Sequence, residues 1–90
     1  MVDVQQAAFT ATNYLISLYP QLSFSDVQLE EVELTEDEKY WLITLSYPLL
    51  KVSAPSTSLA GFMPLKKDYK VFKIDSDAGR VRSMKIRKLD

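Results

Sequence analysis

Apolar residues recur at spacings of three and four near the start of the chain, which predicts an amphipathic helix over residues 4–19. Asp3 is a suitable N-cap for this helix, and Gln6 follows three residues later, as in a capping box. Pro20 cannot continue a helix, so the element should end beside it. The apolar stripe consists of Val4, Ala7, Ala8, Ala11, Tyr14, Leu15 and Leu18. This stripe needs an apolar surface elsewhere in the chain against which it can be buried.

Alternation of apolar and polar residues predicts four strands after the helix. They lie at residues 27–34, 40–47, 69–75 and 80–88. The apolar positions change parity within the first strand, so we predict a β-bulge near Glu30 and Glu31. The residues predicted to face the core from the later strands are Trp41, Ile43, Leu45, Tyr47, Phe72, Ile74, Met84 and Ile86.

The order of these elements predicts the fold class. One helix precedes four strands, and no second helix is available to connect parallel strands. We therefore predict a single α+β domain over residues 1–90, in which one N-terminal helix packs on a four-stranded antiparallel sheet. Gly79 lies in the connection between the last two strands and can adopt the left-handed conformation that a hairpin loop commonly needs.

Residues 48–67 interrupt the regular pattern. They hold three of the four prolines and a run of serine and threonine, and they are also rich in apolar side chains. We predict a long loop, which is unusual in a compact domain and is commonly functional or disordered. It could cover the sheet as a lid, move freely, or dock into a partner. The candidate partner contacts are Leu49, Leu50, Phe62 and Met63 of this loop, with Arg80 and Arg82 of the last strand.

The charges are distributed unevenly along the chain. Residues 1–50 hold eight acidic residues and one lysine, whereas residues 51–90 hold ten basic and four acidic residues. The two halves could neutralise each other within one domain, or form a basic surface for an acidic partner or a nucleic acid. A third possibility is self-association, in which the acidic strand 27–34 pairs with the basic strand 80–88. The pI of about 5.4 and the lack of a nucleic-acid-binding motif weigh against nucleic acid.

The residue types present exclude several chemistries. The chain has no cysteine and no histidine, which excludes thiol nucleophiles, imidazole acid–base catalysis, disulfides and the usual zinc sites. Asp75, Asp77 and Gly79 resemble the start of a calcium loop, but Ile86 stands where such a loop needs a bidentate glutamate. We predict a plain hairpin turn there. A hydrolase that uses carboxylates would need a raised carboxyl pKa in a cleft. We predict no enzymatic activity and no cofactor.

The stretch from Tyr69 to Val81 resembles the closing hairpin of PepSY domains, which are small bacterial domains. The stretch from Tyr40 to Leu45 is similar to their middle strand, and the alanine-rich helix is similar too. This resemblance implies a cystatin-like fold and a role in binding or inhibiting another protein, often a peptidase. The Gln-x-Val-x-Gly loop of inhibitory cystatins is absent, because Leu29, Glu30, Glu31 and Val32 follow Gln28. No functional residue is carried over from the family.

We therefore predict a non-enzymatic module that binds, inhibits or regulates another protein. The alternatives are a self-associating structural protein, such as a homodimer, and a nucleic-acid-binding domain. Residues 1–6 lack the basic and apolar pattern of a secretory signal, and no apolar run approaches the ~18–20 residues that span a bilayer. These observations predict a cytoplasmic protein without membrane contact.

Overall fold

One helix packs on one face of an open, four-stranded antiparallel sheet. The computed structural model describes residues 1–48 and 67–88. The elements are helix α1 (Val4–Leu18), a short 3-10 turn (Phe24–Asp26), and strands β1 (Gln28–Leu34), β2 (Tyr40–Pro48), β3 (Lys67–Asp75) and β4 (Val81–Ile86). The strands follow chain order, β1-β2-β3-β4, and α1 packs over β2, β3 and β4. The predicted α+β arrangement is confirmed.

The ends of α1 follow from the residues around it. The Asp3 carboxylate accepts a hydrogen bond from the Gln6 N–H at 2.8 Å, as an N-cap does. The helix ends at Leu18, one residue earlier than predicted, because Pro20 keeps Tyr19 out of the helical conformation. Of the predicted stripe, Ala7, Ala11 and Leu15 are fully buried, whereas Tyr14 and Leu18 are partly exposed.

The core lies between α1 and the sheet. The odd-numbered side of β2 supplies Ile43, Leu45 and Tyr47, and β3 supplies Phe72 and Ile74. All five are buried, as the alternation predicts. The Tyr14 ring packs edge-on against Phe72, with ring centroids 6.2 Å apart. Trp41 and Met84 are partly buried against the same cluster, as expected for residues of that face.

The prediction that Ile86 faces the core is wrong. Met84 packs against the core, but Ile86, two residues further along the same edge strand, has 70% of its surface exposed. Alternation decides the side of the sheet to which a side chain points, and it does not decide whether a helix covers that position. Pro48 and Lys67, predicted as the ends of a long loop, belong to strands, since β2 includes Pro48 and β3 begins at Lys67. The rest of the predicted loop lies outside the described residues.

The predicted bulge in β1 is confirmed, and β4 contains a second one. The pairing of β1 with β2 shifts between Leu29 and Glu31, which leaves Glu30 as the extra residue. The pairing of β3 with β4 shifts between Lys73 and Ile74, which leaves Arg82 as the extra residue on β4. Both outer strands therefore carry a charged residue at a bulge.

The turn between β3 and β4 is the hairpin that the sequence predicts. The Asp75 carboxylate accepts hydrogen bonds from the backbone N–H groups of Asp77 at 2.7 Å and Ala78 at 3.2 Å. These bonds lower the pKa of Asp75. Gly79 has φ of +75°, and a Cβ there would lie 3.0 Å from the Cγ1 atom of Val2. Glycine therefore meets both the backbone angle and the close packing.

A buried serine joins this turn to the start of the chain. The Ser76 hydroxyl donates to the carbonyl of Glu38 at 2.6 Å, and the Ser76 N–H donates to the carbonyl of Lys39 at 2.9 Å. The Val2 N–H donates to the Ser76 carbonyl at 2.8 Å, and the Val2 carbonyl accepts from the Trp41 indole at 3.1 Å. Val2 and Ser76 thus form a seam that fixes the entry to α1 against both hairpin turns.

We expect Tyr47 to make the domain less stable in alkali. Tyr47 is buried beside Tyr19, with ring centroids 5.8 Å apart. Burial, the main cause, and the nearby Tyr19 side chain, the second, raise the pKa of Tyr47 to about 12. An unfolded tyrosine ionises near pH 10, so Tyr47 contributes stability that is full below pH 10 and is lost as the pH rises through about 12. In Tyr47→Phe, the urea concentration at the unfolding midpoint should fall less steeply as the pH rises from 9 to about 11.5.

The matched control for this test is Tyr14→Phe, because Tyr14 is partly exposed on the helix. This variant should lose stability in alkali as the wild-type chain does. Equal slopes for the wild-type chain and Tyr47→Phe would contradict the role assigned to Tyr47.

Candidate protein-binding surface

The outer side of β4 is free in the part of the chain that the structure describes, because β4 is the last strand of the sheet. The Arg87 N–H donates to the carbonyl of Tyr69 at 2.9 Å, so odd-numbered residues form the hydrogen-bonded pairs with β3. In an antiparallel ladder the residues between them turn their N–H and C=O groups away from that partner. Met84 and Ile86 therefore direct their backbone groups to the free edge.

The outer side of β1, the first strand of the sheet, is likewise free among the residues that the structure describes. The Thr35 N–H donates to the carbonyl of Tyr40 at 3.0 Å, so the odd-numbered residues of β1 after the bulge form the hydrogen-bonded pairs with β2. It follows that Val32 and Leu34 direct their backbone N–H and C=O groups to the free edge. The side chains of both residues stand on the helix side of the sheet, opposite Ile43 and Trp41.

The two edges have opposite charge. Glu30, Glu31 and Glu33 on β1 are exposed. On and beside β4 the exposed basic residues are Arg80, Arg82, Lys85 and Lys88. Charged residues and bulges on edge strands prevent like edges from pairing. Any partner strand must therefore bring a complementary charge and use the regular part of an edge.

Of the predicted partner contacts, the structure places Arg80 and Arg82 at the start of the β4 edge, where both are exposed. The others, Leu49, Leu50, Phe62 and Met63, lie outside the described residues. Sequence reasoning missed the exposed Ile86, and it gave no contact role to Lys85 or Arg87 of the predicted strand 80–88. Alternation correctly placed Met84 and Ile86 on the same face of the sheet. The exposure of Ile86 follows only from the position of β4 at the edge of the sheet.

An ion pair crosses the open face of the sheet and connects the two edges. The Arg87 guanidinium donates to the Glu31 carboxylate and, at 3.0 Å, to the Thr44 hydroxyl. The hydrogen bond from Arg87 lowers the pKa of Glu31, and the same contact raises the pKa of Arg87. A cavity of about 150 Å³ lies around this pair, between Tyr69 and Glu30. Part of the charge asymmetry is thus neutralised within one domain.

Apolar side chains are exposed on the helix, on the 3-10 turn and on β1. Phe9 of α1 and Phe24 of the 3-10 turn stack with ring centroids 6.1 Å apart, and more than half of each residue's surface is exposed. Leu29 and Val32 of β1 are also exposed, although they stand opposite the core residues Leu45 and Ile43. Among the described residues the helix packs mainly over the other three strands, and the apolar side of β1 is left largely exposed.

The carboxyl groups with a shifted pKa in the described residues lack the environment of a catalytic acid. Within the described ranges, the displaced carboxyl pKa values are those of Glu31, Asp37 and Asp75, and all three are lowered. A general acid in a glycosidase requires a raised pKa instead. In residues 1–48 and 67–88 no group of three or more acidic side chains is placed to hold a metal ion. Nor does the described part contain a helix long and apolar enough to cross a membrane.

Comparison of the chain with protein-family models, with curated proteins and with solved structures gave no match. The resemblance to PepSY and cystatin-like domains therefore stays a prediction. The fold and the edge geometry define the chain as an α+β domain with a helix on one face of an open antiparallel sheet.

Proposed function

We propose that this domain is a non-enzymatic protein-binding module, and that an extended segment of the partner adds to β4 as a fifth strand. The observation that carries this proposal is the free edge at Met84 and Ile86, where outward backbone groups adjoin a largely exposed isoleucine. Strand addition uses such backbone groups for affinity and alternate side chains for specificity. An exposed apolar side chain at the edge supplies the area that an added strand would bury.

The side chains around the β4 edge define the chemistry of the partner segment. On the helix side, Ile86 next to Met84 favours an apolar side chain. On the open side, Lys85 and Arg87 favour carboxylates. Because neighbouring residues of a strand point to opposite faces, the segment should alternate apolar and acidic residues.

A protein fits this edge better than a nucleic acid does. The basic residues of the edge lie beside carboxylates, because Arg87 binds Glu31 and Arg80 and Arg82 lie near Asp75. Part of the positive charge that a phosphate backbone would need is therefore already neutralised. The outward N–H and C=O groups match another polypeptide backbone. We therefore assign the edge to a protein partner, in keeping with a cytoplasmic regulatory module. The role predicted for Leu49, Leu50, Phe62 and Met63 in docking stays a prediction.

We expect a synthetic peptide of eight residues, with alternating valine and glutamate, to bind the β4 edge. In a titration of the full chain labelled with ¹⁵N, the amide signals of residues 83–87 should shift most. Ile86→Glu should weaken binding about tenfold or more, because it replaces the apolar contact on the helix side with a charge that faces an apolar side chain of the peptide. The free energy of unfolding should change little, since Ile86 is exposed.

The matched control is Leu29→Glu, which introduces the same charge at an exposed apolar residue of β1, the strand at the opposite edge of the sheet. This variant should bind the peptide as the wild-type chain does. Equal peptide affinity in Ile86→Glu and wild type, or shifts centred away from β4, would contradict the proposal.

A further inference from the structure

We infer that one partner of the β4 edge is β1 of a second copy of this chain. This inference rests on the proposed function, because it uses the same free edge. The segment that the β4 edge favours alternates apolar and acidic residues, and residues 31–34 of β1 have that pattern. The side chains of this segment are Glu31, Val32, Glu33 and Leu34, and the first three are exposed.

The strand directions allow the two edges to pair. Within the sheet each strand is antiparallel to its neighbour, so β4 runs antiparallel to β1. A second copy shifted sideways across the strands would place its β1 antiparallel to β4, with both helices on the same side of one continuous sheet. The helix of each copy leaves its own β1 uncovered, so the new neighbour meets an open apolar side.

The backbone parity and the side chains agree on one register. Pairing the outward-facing residues of the two edges sets Met84 opposite Leu34 and Ile86 opposite Val32, so that apolar side chains meet on the helix side. The same register sets Lys85 opposite Glu33 and Arg87 opposite Glu31 on the open side. Opposite charges directly across a strand pair are stabilising, and like charges are destabilising.

The bulges and charges select this pairing over the alternatives. The bulged residues Glu30 and Arg82 lie just outside the four-residue register, so the pairing uses only the regular part of each edge. Two β1 edges would bring glutamates together, and two β4 edges would bring Lys85 and Arg87 together. The charges that oppose like pairs therefore favour the unlike pair.

One of the two charge pairs is already made inside the chain. Arg87 contacts its own Glu31, so a contact with Glu31 of the next copy would exchange one ion pair for another. Lys85 and Glu33 are exposed, and their pair would be gained on assembly. The pair between Lys85 and Glu33 is therefore the sharpest test of the register.

Sedimentation velocity of the full chain over a range of concentrations tests this inference. At low salt the average mass should rise with concentration and pass beyond a dimer, because each head-to-tail contact leaves another free β1 and β4. Added salt should reduce the mass by screening the charge pairs. Lys85→Glu alone and Glu33→Lys alone should each associate about tenfold more weakly, since an attractive pair becomes repulsive. Both positions are exposed, so both variants should unfold at the wild-type urea midpoint.

An equal mixture of the two variants should recover the association. The glutamate introduced by Lys85→Glu then faces the lysine introduced by Glu33→Lys, and the two native residues of this pair face each other at the next contact. Opposite charges therefore meet at every contact of an alternating assembly. A wild-type chain that stays monomeric at low salt, a mass that stops at a dimer, or a mixture that fails to recover would overturn the inference.

The peptide titration separates the two proposals. A monomeric chain that still binds the peptide at β4 keeps the proposed function and refutes self-association. A chain that neither binds the peptide nor associates refutes both.

Discussion

Phe72→Ala should lower the free energy of unfolding by about 3–5 kcal/mol, as expected for truncation of a fully buried phenylalanine. Phe72 has no exposed surface, packs against the Tyr14 ring and stands opposite Met84 of β4. Its removal leaves a cavity between the helix and the sheet. A chain of 90 residues has a total stability of about 5–14 kcal/mol, so this variant should lie close to the threshold of folding.

Urea denaturation followed by the fluorescence of the single tryptophan, Trp41, measures this loss. The matched control is Phe9→Ala, which removes the same side chain at a position that is 60% exposed. We expect the control to cost less than about 1 kcal/mol. A loss of similar size in both variants would contradict the core described between α1 and β3.

Leu15→Ala should lower the free energy of unfolding by about 2–5 kcal/mol. Leu15 is fully buried on the face of α1 that packs against the sheet, and it is the largest side chain that the helix buries there. Alanine favours the helical conformation slightly more than leucine does, so the loss must come from packing and not from helix propensity. The same urea experiment measures it.

Leu18→Ala is the control for Leu15, because it makes the same substitution one turn later on the same helix, at a residue that is 48% exposed. We expect its cost to be less than half that of Leu15→Ala. Equal losses would mean that the apolar stripe extends to the end of the helix, as the spacing alone predicts.

The regular elements could be predicted because their apolar residues follow the period of one structure. In β2 every odd-numbered residue from Trp41 to Tyr47 is apolar, which fits a strand with one buried face. In β1 the change of parity after Leu29 predicted the bulge, because a bulge returns the later apolar residues to the same face. Asp3 and Pro20 marked the helix ends by local chemistry.

The binding surface depends on neighbours that are distant in sequence, so the sequence could indicate only part of it. Ile86 was placed in the core by the same alternation that placed Met84 there correctly, because the limit of the helix's cover is a property of packing. The contact of Arg87 with Glu31 joins residues from the two oppositely charged halves. Their strands lie at opposite edges of the sheet, and no local sequence pattern indicates that the two side chains are in contact.

The seam between Val2 and Ser76 has a consequence for synthesis on the ribosome. Val2 cannot form its hydrogen bond to Ser76, or pack against Gly79, until those residues have been translated. At about 5–20 residues per second, roughly 4–15 s separate the synthesis of Val2 from that of Ser76. During that time the buried face of α1, which includes Leu15, lacks the β3 residues that cover it. The nascent chain must therefore keep its earliest apolar surface from aggregating until nearly all of the sheet has been made.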